Sequence, residues 1–597
     1  SKFDVSGSLF LNHGDVSGSA TSTGSFGRAI VNTMKVGNGA EIRNISANQI
    51  FGYNSLTANT GNYNIAIGTE TLMAQTSGER NTAVGYQAGR SNVTGDYNSW
   101  FGFSAGRGAT DQSNANNTGI GYEALYSITT ANSNVGLGYQ SLRALTSGGS
   151  NTGIGGQAAY SVTTGVENTA LGQTALFYNQ TGNYNVAIGR AAMFGVSGNS
   201  HENNTAVGYK SLEGITTATG NTAIGYAAGD SITTGGYNAL LGYQAGSALV
   251  GGGTNIAIGY QPLYLGTANS NAIAIGGRAG YNSQASYNVY VGASAGRENR
   301  VGVSQVYIGY QAGYYATGSN NTFVGQDAGK GGTTSAPFSS GGSNTAVGRQ
   351  ALGGFTTGGS NTAIGSNAGN AVRTGTENAF LGHNAGYNAT GSTSYAVAIG
   401  SHAGYQNNNA SVVYIGRYAG FAGSGHIGGG NIAIGYQALF TNRSTDEEGM
   451  KWNIAIGRAA MSNTTDTLGA AHSNVAIGYT ALKKIESGSR NVAIGGQQGG
   501  GDGGAGEFLK NGDYNTFVGS KAGQGIDSGN IHSSDNVFIG ASAGANQNGV
   551  DGNVGVGYKA LVYARGNYSV AVGYEAGDHA TGSYNTFVGG YAGQGGT

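Results

Sequence analysis

Along most of this chain a β-branched or aromatic residue alternates with a small one, as in Asn81-Thr82-Ala83-Val84-Gly85-Tyr86-Gln87-Ala88-Gly89. In an extended segment Thr82, Val84 and Tyr86 fall on one face and Ala83 and Gly85 on the other. The phrase, N-x-A-I/V-G-Y-x-A-G/L, returns at 151–159, 204–212, 221–229, 344–352, 361–369, 474–482 and 585–593. Such self-similarity marks a repeat architecture. Val, Ile, Thr and Tyr favour strand, and the unit is too short for a helix plus a strand plus turns. Each unit is therefore expected to be a coil of two short strands and two turns. The Thr-Thr-Gly groups, such as Thr163-Thr164-Gly165, Thr233-Thr234-Gly235 and Thr356-Thr357-Gly358, read as turns in which Gly supplies positive φ.

The central Gly indexes 31 units from Gly52 to Gly589. Of the 30 intervals, fifteen are 17 residues, six are 16, none is shorter and nine are longer. A floor with tolerated additions is what a solenoid shows when extra residues leave through surface loops. The largest additions fall at 330–342, 441–452, 462–472, 499–513 and 521–534. The predicted fold is thus all-β, a parallel β-solenoid of about 31 coils with a period of about 17 residues. At about 4.8 Å per coil its length is on the order of 150 Å. Three regions follow: a connector or attachment segment over 1–47, where Asp4-Val5-Ser6-Gly7-Ser8 returns as Asp15-Val16-Ser17-Gly18-Ser19; a regular shaft over 48–329; and a solenoid with larger loops over 330–597.

An interior of one Ile or Val per coil, with an occasional Leu or Ala, would be thin. Burial at roughly 25 cal/mol per Å² would barely offset about 1–2 kcal/mol of backbone entropy per residue. The Ala-x-Gly face is expected to supply the remaining burial by letting another chain approach closely. That reasoning predicts a shared core, and so a self-associated protein, with a lone solenoid as the alternative.

Composition narrows the function. Gly is 115 of 597 residues and Pro only 2, which excludes collagen. A net charge of -1 from 27 basic and 28 acidic residues leaves no electrostatic footprint for nucleic acid or an anionic membrane. Without Cys there is neither a disulfide framework nor a thiolate metal site, and no apolar run approaches the roughly 20 residues that span a bilayer. An extracellular β-rich fibre suits these totals. Its first residues, Ser1-Lys2-Phe3-Asp4, and an end inside a repeat suggest a processed or partial piece of something longer.

The N-x-A-I-G-x-x-A unit over 48–597 resembles the head repeats of YadA-like trimeric autotransporter adhesins, and also repeats of phage tail-fibre proteins. The string from Ser17 to Arg28 is similar to segments of marine phage fibres. The resemblance implies a left-handed β-roll, a homotrimer, and a virion tail fibre that attaches to a host surface. Its partners would be further copies of itself, a host receptor such as a glycan, and virion or baseplate proteins at the 1–47 end. A bacterial trimeric surface adhesin is the alternative, and a monomeric ice- or polysaccharide-binding solenoid the further one. The spacing here is longer than the usual autotransporter coil, and neither an anchor barrel nor a coiled-coil stalk is present in this sequence.

Candidate chemistry is sparse. The eight His are scattered with no carboxylate or Ser arrangement repeated around them, so no enzyme activity, catalytic residue, cofactor or metal is expected. His383, in the Tyr position, and His402 could meet their copies on a trimer axis around an ion. Gly499-Gly500-Gly501-Asp502-Gly503-Gly504-Ala505-Gly506 has no following Lys-Ser/Thr and no second copy, so it reads as a plain loop. Receptor-binding candidates lie in the late loops, because recognition often sits on loops held by a rigid scaffold: Asp446, Glu447, Glu448, Trp452, Asp502, Glu507 and Asp513. The repeat ladder is represented by Asn81, Val84, Gly85, Tyr86, Asn221, Ile224, Gly225, Tyr226, Asn361, Ile364 and Gly365. Its Tyr column reads as an aromatic ladder packing coil on coil, and its Asn column as an amide ladder.

Overall fold

The computed structural model describes residues 33–36, 40–45, 47–332, 338–389, 392–406, 410–422, 427–441, 450–462, 471–496, 503–525, 533–547 and 549–595. Strands β1 (Thr33–Val36), β2 (Ala40–Ile45) and β3 (Asn48–Gly52) form an antiparallel meander. β3 then pairs in parallel with β4 (Ile65–Ile67). From β4 to β33 (Thr586–Val588) every strand has three residues and pairs in parallel with the next. The protein is a parallel β-solenoid with a period of about 17 residues, and among the described residues there is no helix.

Each coil has one short strand, not the two expected. The rest of the coil still bonds to its neighbours: the Gly85 N–H donates to Ile67 O at 2.8 Å, Gly89 to Ala105 O at 2.9 Å and Ser91 to Arg107 O at 2.9 Å. Backbone pairing therefore continues around turns that alternate left-handed residues, such as Gln87 (φ 56°) and Gly89 (φ 62°), with others. A second strand is unnecessary because those turns already satisfy the buried peptide groups. The late additions leave the strand register intact, for Ile432–Ile434 pairs with Ile454–Ile456 and these with Val475–Ile477.

The two faces of the strand are the reverse of expectation. The middle residue, Ala83 or Ala223 for instance, is fully buried inside the coil, whereas Ile67, Ile224 and Leu241 are 42%, 38% and 47% exposed. The interior must also admit the turn side chains Ala88 and Leu72, and there is room for a turn Leu only where the strand contributes a small residue. The Ala face is consequently consumed within one chain and is not available to a second.

The G/L choice at the end of the motif follows from the same interior. This position is left-handed whether it holds Gly89 (φ 62°) or Leu142 (φ 50°). Leu bears a left-handed penalty of about 1–2 kcal/mol, matched by about 1.5–3 kcal/mol from full burial. Where Leu stands here, the strand centre is Ala or Gly: a Cβ on Gly136 would lie 3.2 Å from Leu125 Cγ, and one on Gly153 3.0 Å from Leu142 Cγ. Where the strand centre is large, as at Trp100, Tyr290 or Phe517, Gly stands at the turn, and a Cβ on Gly89, Gly280 or Gly523 would overlap the ring.

Two other columns are explained by close stacking. At the strand-ending Gly (Gly85, φ 135°; Gly225, φ 139°; Gly365, φ 134°) a Cβ would overlap the carbonyl of the next coil's Gly. In the Thr-Thr-Gly groups Gly165, Gly235 and Gly358 do not have positive φ; they are Gly because the next coil's backbone carbonyl occupies the Cβ position. The first Thr hydroxyl there donates up the stack, Thr163 to Gln180 O at 3.1 Å and Thr356 to Arg373 O at 2.9 Å.

Candidate interaction surface

The outward strand face is built from two side chains per coil. In the thirty strands from Ile65–Ile67 to Thr586–Val588 no residue is charged, and the third position is always Ile, Val, Leu or, at Phe101, Phe. The parallel register places each of these on its counterpart in the next coil, as Ile224 on Leu241 and Leu241 on Ile258. A continuous apolar stripe results, aliphatic except at Phe101. An isolated exposed Ile needs no explanation, but a contiguous apolar patch marks an interaction site.

Beside the stripe, two residues on, stands the aromatic column. Tyr86, Phe103, Tyr122 and Tyr139 stack at centroid spacings of 5.1, 5.2 and 5.4 Å, and Tyr209, Tyr226, Tyr243 and Tyr260 at 5.3, 5.1 and 5.4 Å. Tyr86 and Tyr226 are still 43% and 46% exposed at their edges. The rings pack coil on coil, as the sequence indicated. Ionic contacts also run along the stack: Glu123 accepts from Gln140 at 2.9 Å and from Arg143 at 2.8 Å. Burial pushes the Glu123 carboxyl up, but these donors outweigh it and hold the group below its ordinary range.

On the opposite side of the strand, the Asn column is buried. The Asn81 amide and side-chain Nδ2 both donate to Asn64 Oδ1, at 2.9 and 3.2 Å, and Nδ2 also donates to Gly95 O at 2.9 Å. Asn221 and Asn361 repeat the pattern on Asn204 and Asn344. Each amide thereby satisfies a turn carbonyl and the backbone N–H entering the strand, a double duty that an Asp carboxylate, which has no donor, could not perform.

The receptor-binding candidates do not come together. Asp446, Glu447, Glu448 and Asp502 lie outside the described residues. Trp452 is 64% exposed, with its ring centroid 6.4 Å from that of His472. Asp513 is exposed but ties the turn together, accepting from the Ser489 N–H at 2.7 Å. Glu507 is fully buried, accepting from the Gly504 N–H and from Gln524 Nε2, both at 3.2 Å, with Lys483 Nζ at 3.7 Å. Its carboxylate faces inward and offers no surface contact. The reason is that Ala505, hydrogen-bonded to Gly495 O at 3.2 Å, resumes the coil after the insertion and draws Glu507 into it.

His383 and His402 are edge-to-face at 5.2 Å, although His402 lies one residue past the ring-column position, which Ser401 holds in that coil. Both nitrogens of His402 have partners, Asn384 Nδ2 at 3.1 Å and Ser401 Oγ at 2.9 Å. Desolvation lowers its basicity. Among the described residues no three His, Asp or Glu converge as a metal would require, and no helix is long and apolar enough to cross a membrane.

Comparison with known proteins adds nothing to this geometry. No protein-family model matches the chain, and neither does any curated protein or solved structure.

A third exposed column escaped the sequence reading. Tyr63, Tyr97, Tyr184, Tyr237 and Tyr287, and Trp452 in the same place, precede the ladder Asn, have positive φ and are 52–68% exposed. The signal was the repeated Tyr-Asn dipeptide, as in Tyr97-Asn98. Arg80 lies between two of these rings, with its guanidinium carbon 5.7 Å from the Tyr63 centroid and 5.3 Å from that of Tyr97.

Proposed function

We propose that the chain is a structural and binding fibre, a homotrimer joined along the outward strand face, and that it serves as a phage tail fibre in attachment to a host surface. The observation that carries self-association is the uncharged apolar stripe, unbroken from Ile65–Ile67 to Thr586–Val588. A solvated face would tolerate Lys or Glu somewhere along thirty coils. The occupant best matched to a stripe repeating every coil is another copy with the same rise. The number three and the viral setting rest on the resemblance of the N-x-A-I-G-x-x-A unit. Extracellular localisation follows from the same reading.

Light scattering after gel filtration tests it: the unheated protein is expected at about three times 59.7 kDa. Ile224→Asp, Leu241→Asp and Ile258→Asp together should release monomers, because three stacked carboxylates would be desolvated side by side. A monomeric wild type would overturn the shared-face reading.

A further inference from the structure

Between Tyr86 and Tyr260 the aromatic column is interrupted once. Between Tyr139 and Tyr209 its positions are held by Gly156, Gln173 and Arg190, and a Cβ on Gly156 would meet nothing within 4 Å. Over the same coils the rings shift to a neighbouring column, where Tyr160, Phe177 and Phe194 stack at 5.0 and 5.1 Å. That second stack stops at Phe194, because Glu213 follows it, and the first resumes at Tyr209. Two ladder ends therefore meet in adjacent coils, and each terminal ring lacks a stacking ring on one side.

A cavity of about 300 Å³ lies there, lined by Thr174, Arg190, Phe194, Tyr209, Lys210 and Glu213. The Arg190 guanidinium carbon lies 5.7 Å from the Tyr209 centroid. Lys210 is paired with Glu213 at 3.1 Å, whereas no carboxylate of the described residues lies within ion-pair distance of exposed Arg190. From this juxtaposition we propose that the notch between Phe194 and Tyr209 is a binding site for an acidic saccharide, a pyranose bearing a carboxylate. The sugar's C–H face packs on the ring of Phe194, since the Tyr209 ring already carries the Arg190 guanidinium and Lys210 Nζ, each 5.7 Å from its centroid. Its carboxylate takes the planar fork of Arg190, which suits bidentate recognition. Glu213 accepts from ring hydroxyls, as does Thr174 Oγ1, whose own proton is given to Gln173 O at 2.7 Å.

A second notch supplies the internal contrast. It holds about 200 Å³ between Asp327, Lys330, Gln350, Gly353 and Asn370, with a Lys330–Asp327 pair at 3.2 Å but no aromatic ring. This notch is smaller, its single cation is already paired, and the stacking platform is missing.

The assignment deepens the attachment reading by giving it a ligand class and a place on the shaft. Calorimetric titration of the full chain with sialyllactose and with trigalacturonate, against neutral lactose, tests it. At least one acidic saccharide is expected to bind, and lactose about tenfold more weakly or not at all. Arg190→Gln and Phe194→Ala should each weaken the acidic ligand by about tenfold or more, with solution mass and circular dichroism unchanged, while Lys330→Gln should leave binding as it was. No binding of either acidic saccharide, or binding unaffected by both substitutions, overturns the proposal. Cell binding separates the two readings: attachment that survives in Arg190→Gln removes this site and keeps the fibre, whereas saccharide binding without attachment keeps the site and removes the attachment function.

Discussion

The coils around Leu125 and Leu142 and those around Tyr290 and Tyr307 share one backbone yet fill their interiors in opposite ways. In the first, the strand centres are Gly119, Gly136 and Gly153, and the turn supplies Leu. In the second, the strand supplies Tyr and the turn supplies Gly280, Gly296 and Gly313. The solenoid is thus specified by the volume shared between two positions, and neither position alone is constrained. This explains how one motif tolerates Ala, Gly, Trp, Tyr and Phe at the same buried place, since close packing restricts the total.

The largest break in that comparison is expected from Trp100→Ala. Gly89, Gly106 and Gly119 all abut the indole, so those three positions offer no side chain to close the void. The loss should be about 3–5 kcal/mol, read as faster amide exchange across Thr82–Val84, Ser99–Phe101 and Thr118–Ile120. Adding Gly106→Leu should return part of it by recreating the Leu-filled arrangement. Strictly additive losses in the double variant would show that the two positions do not share volume. Local exchange is the appropriate readout because long repeat arrays need not unfold in one step.

Next in size is an acid effect at a place that follows neither scheme. His201 is buried at 2% exposure in a column where Asn114 and Asn269 stand in other coils, each accepting a ladder amide through its backbone carbonyl. Burial lowers its pKa from 6.5 to about 4. The folded ring resists a proton that the unfolded chain accepts, so stability is complete above pH 6.5 and falls as pH drops through 4. The loss should reach about 3 kcal/mol, at 1.36 kcal/mol per pKa unit. Exchange of amides in Val186–Ile188 and Thr205–Val207 measured from pH 7 downward would show it. His201→Asn should flatten the profile, and an unchanged profile would place the titration elsewhere.

Much of the fold was legible because period and alternation are strong signals. The 31 glycines located every coil, and the Tyr and Asn columns were assigned correctly as ladders. What alternation cannot say is which face is inside. Ile and Val are the usual core residues, so the apolar face was placed inward; the structure turns it outward because Ala88 and the turn Leu residues already occupy the interior. The Thr-Thr-Gly glycines were misread for a related reason: a close contact with the next coil leaves no mark within one repeat. Glu507 was placed on the surface because charge usually means exposure, and the backbone that rejoins the coil at Ala505 determined otherwise.

The smallest effects should come from adding one methyl group in each of two places. Gly296 has φ 59° and a Cβ there would overlap the Tyr290 ring, while Gly156 has neither positive φ nor any atom within 4 Å of an added Cβ. Gly296→Ala should cost about 1–3 kcal/mol, because the ring is held from the other side by Gly280 and cannot retreat without leaving its rotamer. Gly156→Ala should change stability by less than about 0.5 kcal/mol. Combining Gly296→Ala with Tyr290→Ala separates the causes: if crowding dominates, the methyl group becomes nearly neutral once the ring is gone. If the loss persists, the left-handed backbone is responsible. In that case the Leu residues that occupy the same left-handed position elsewhere would be retained only because their burial outweighs it.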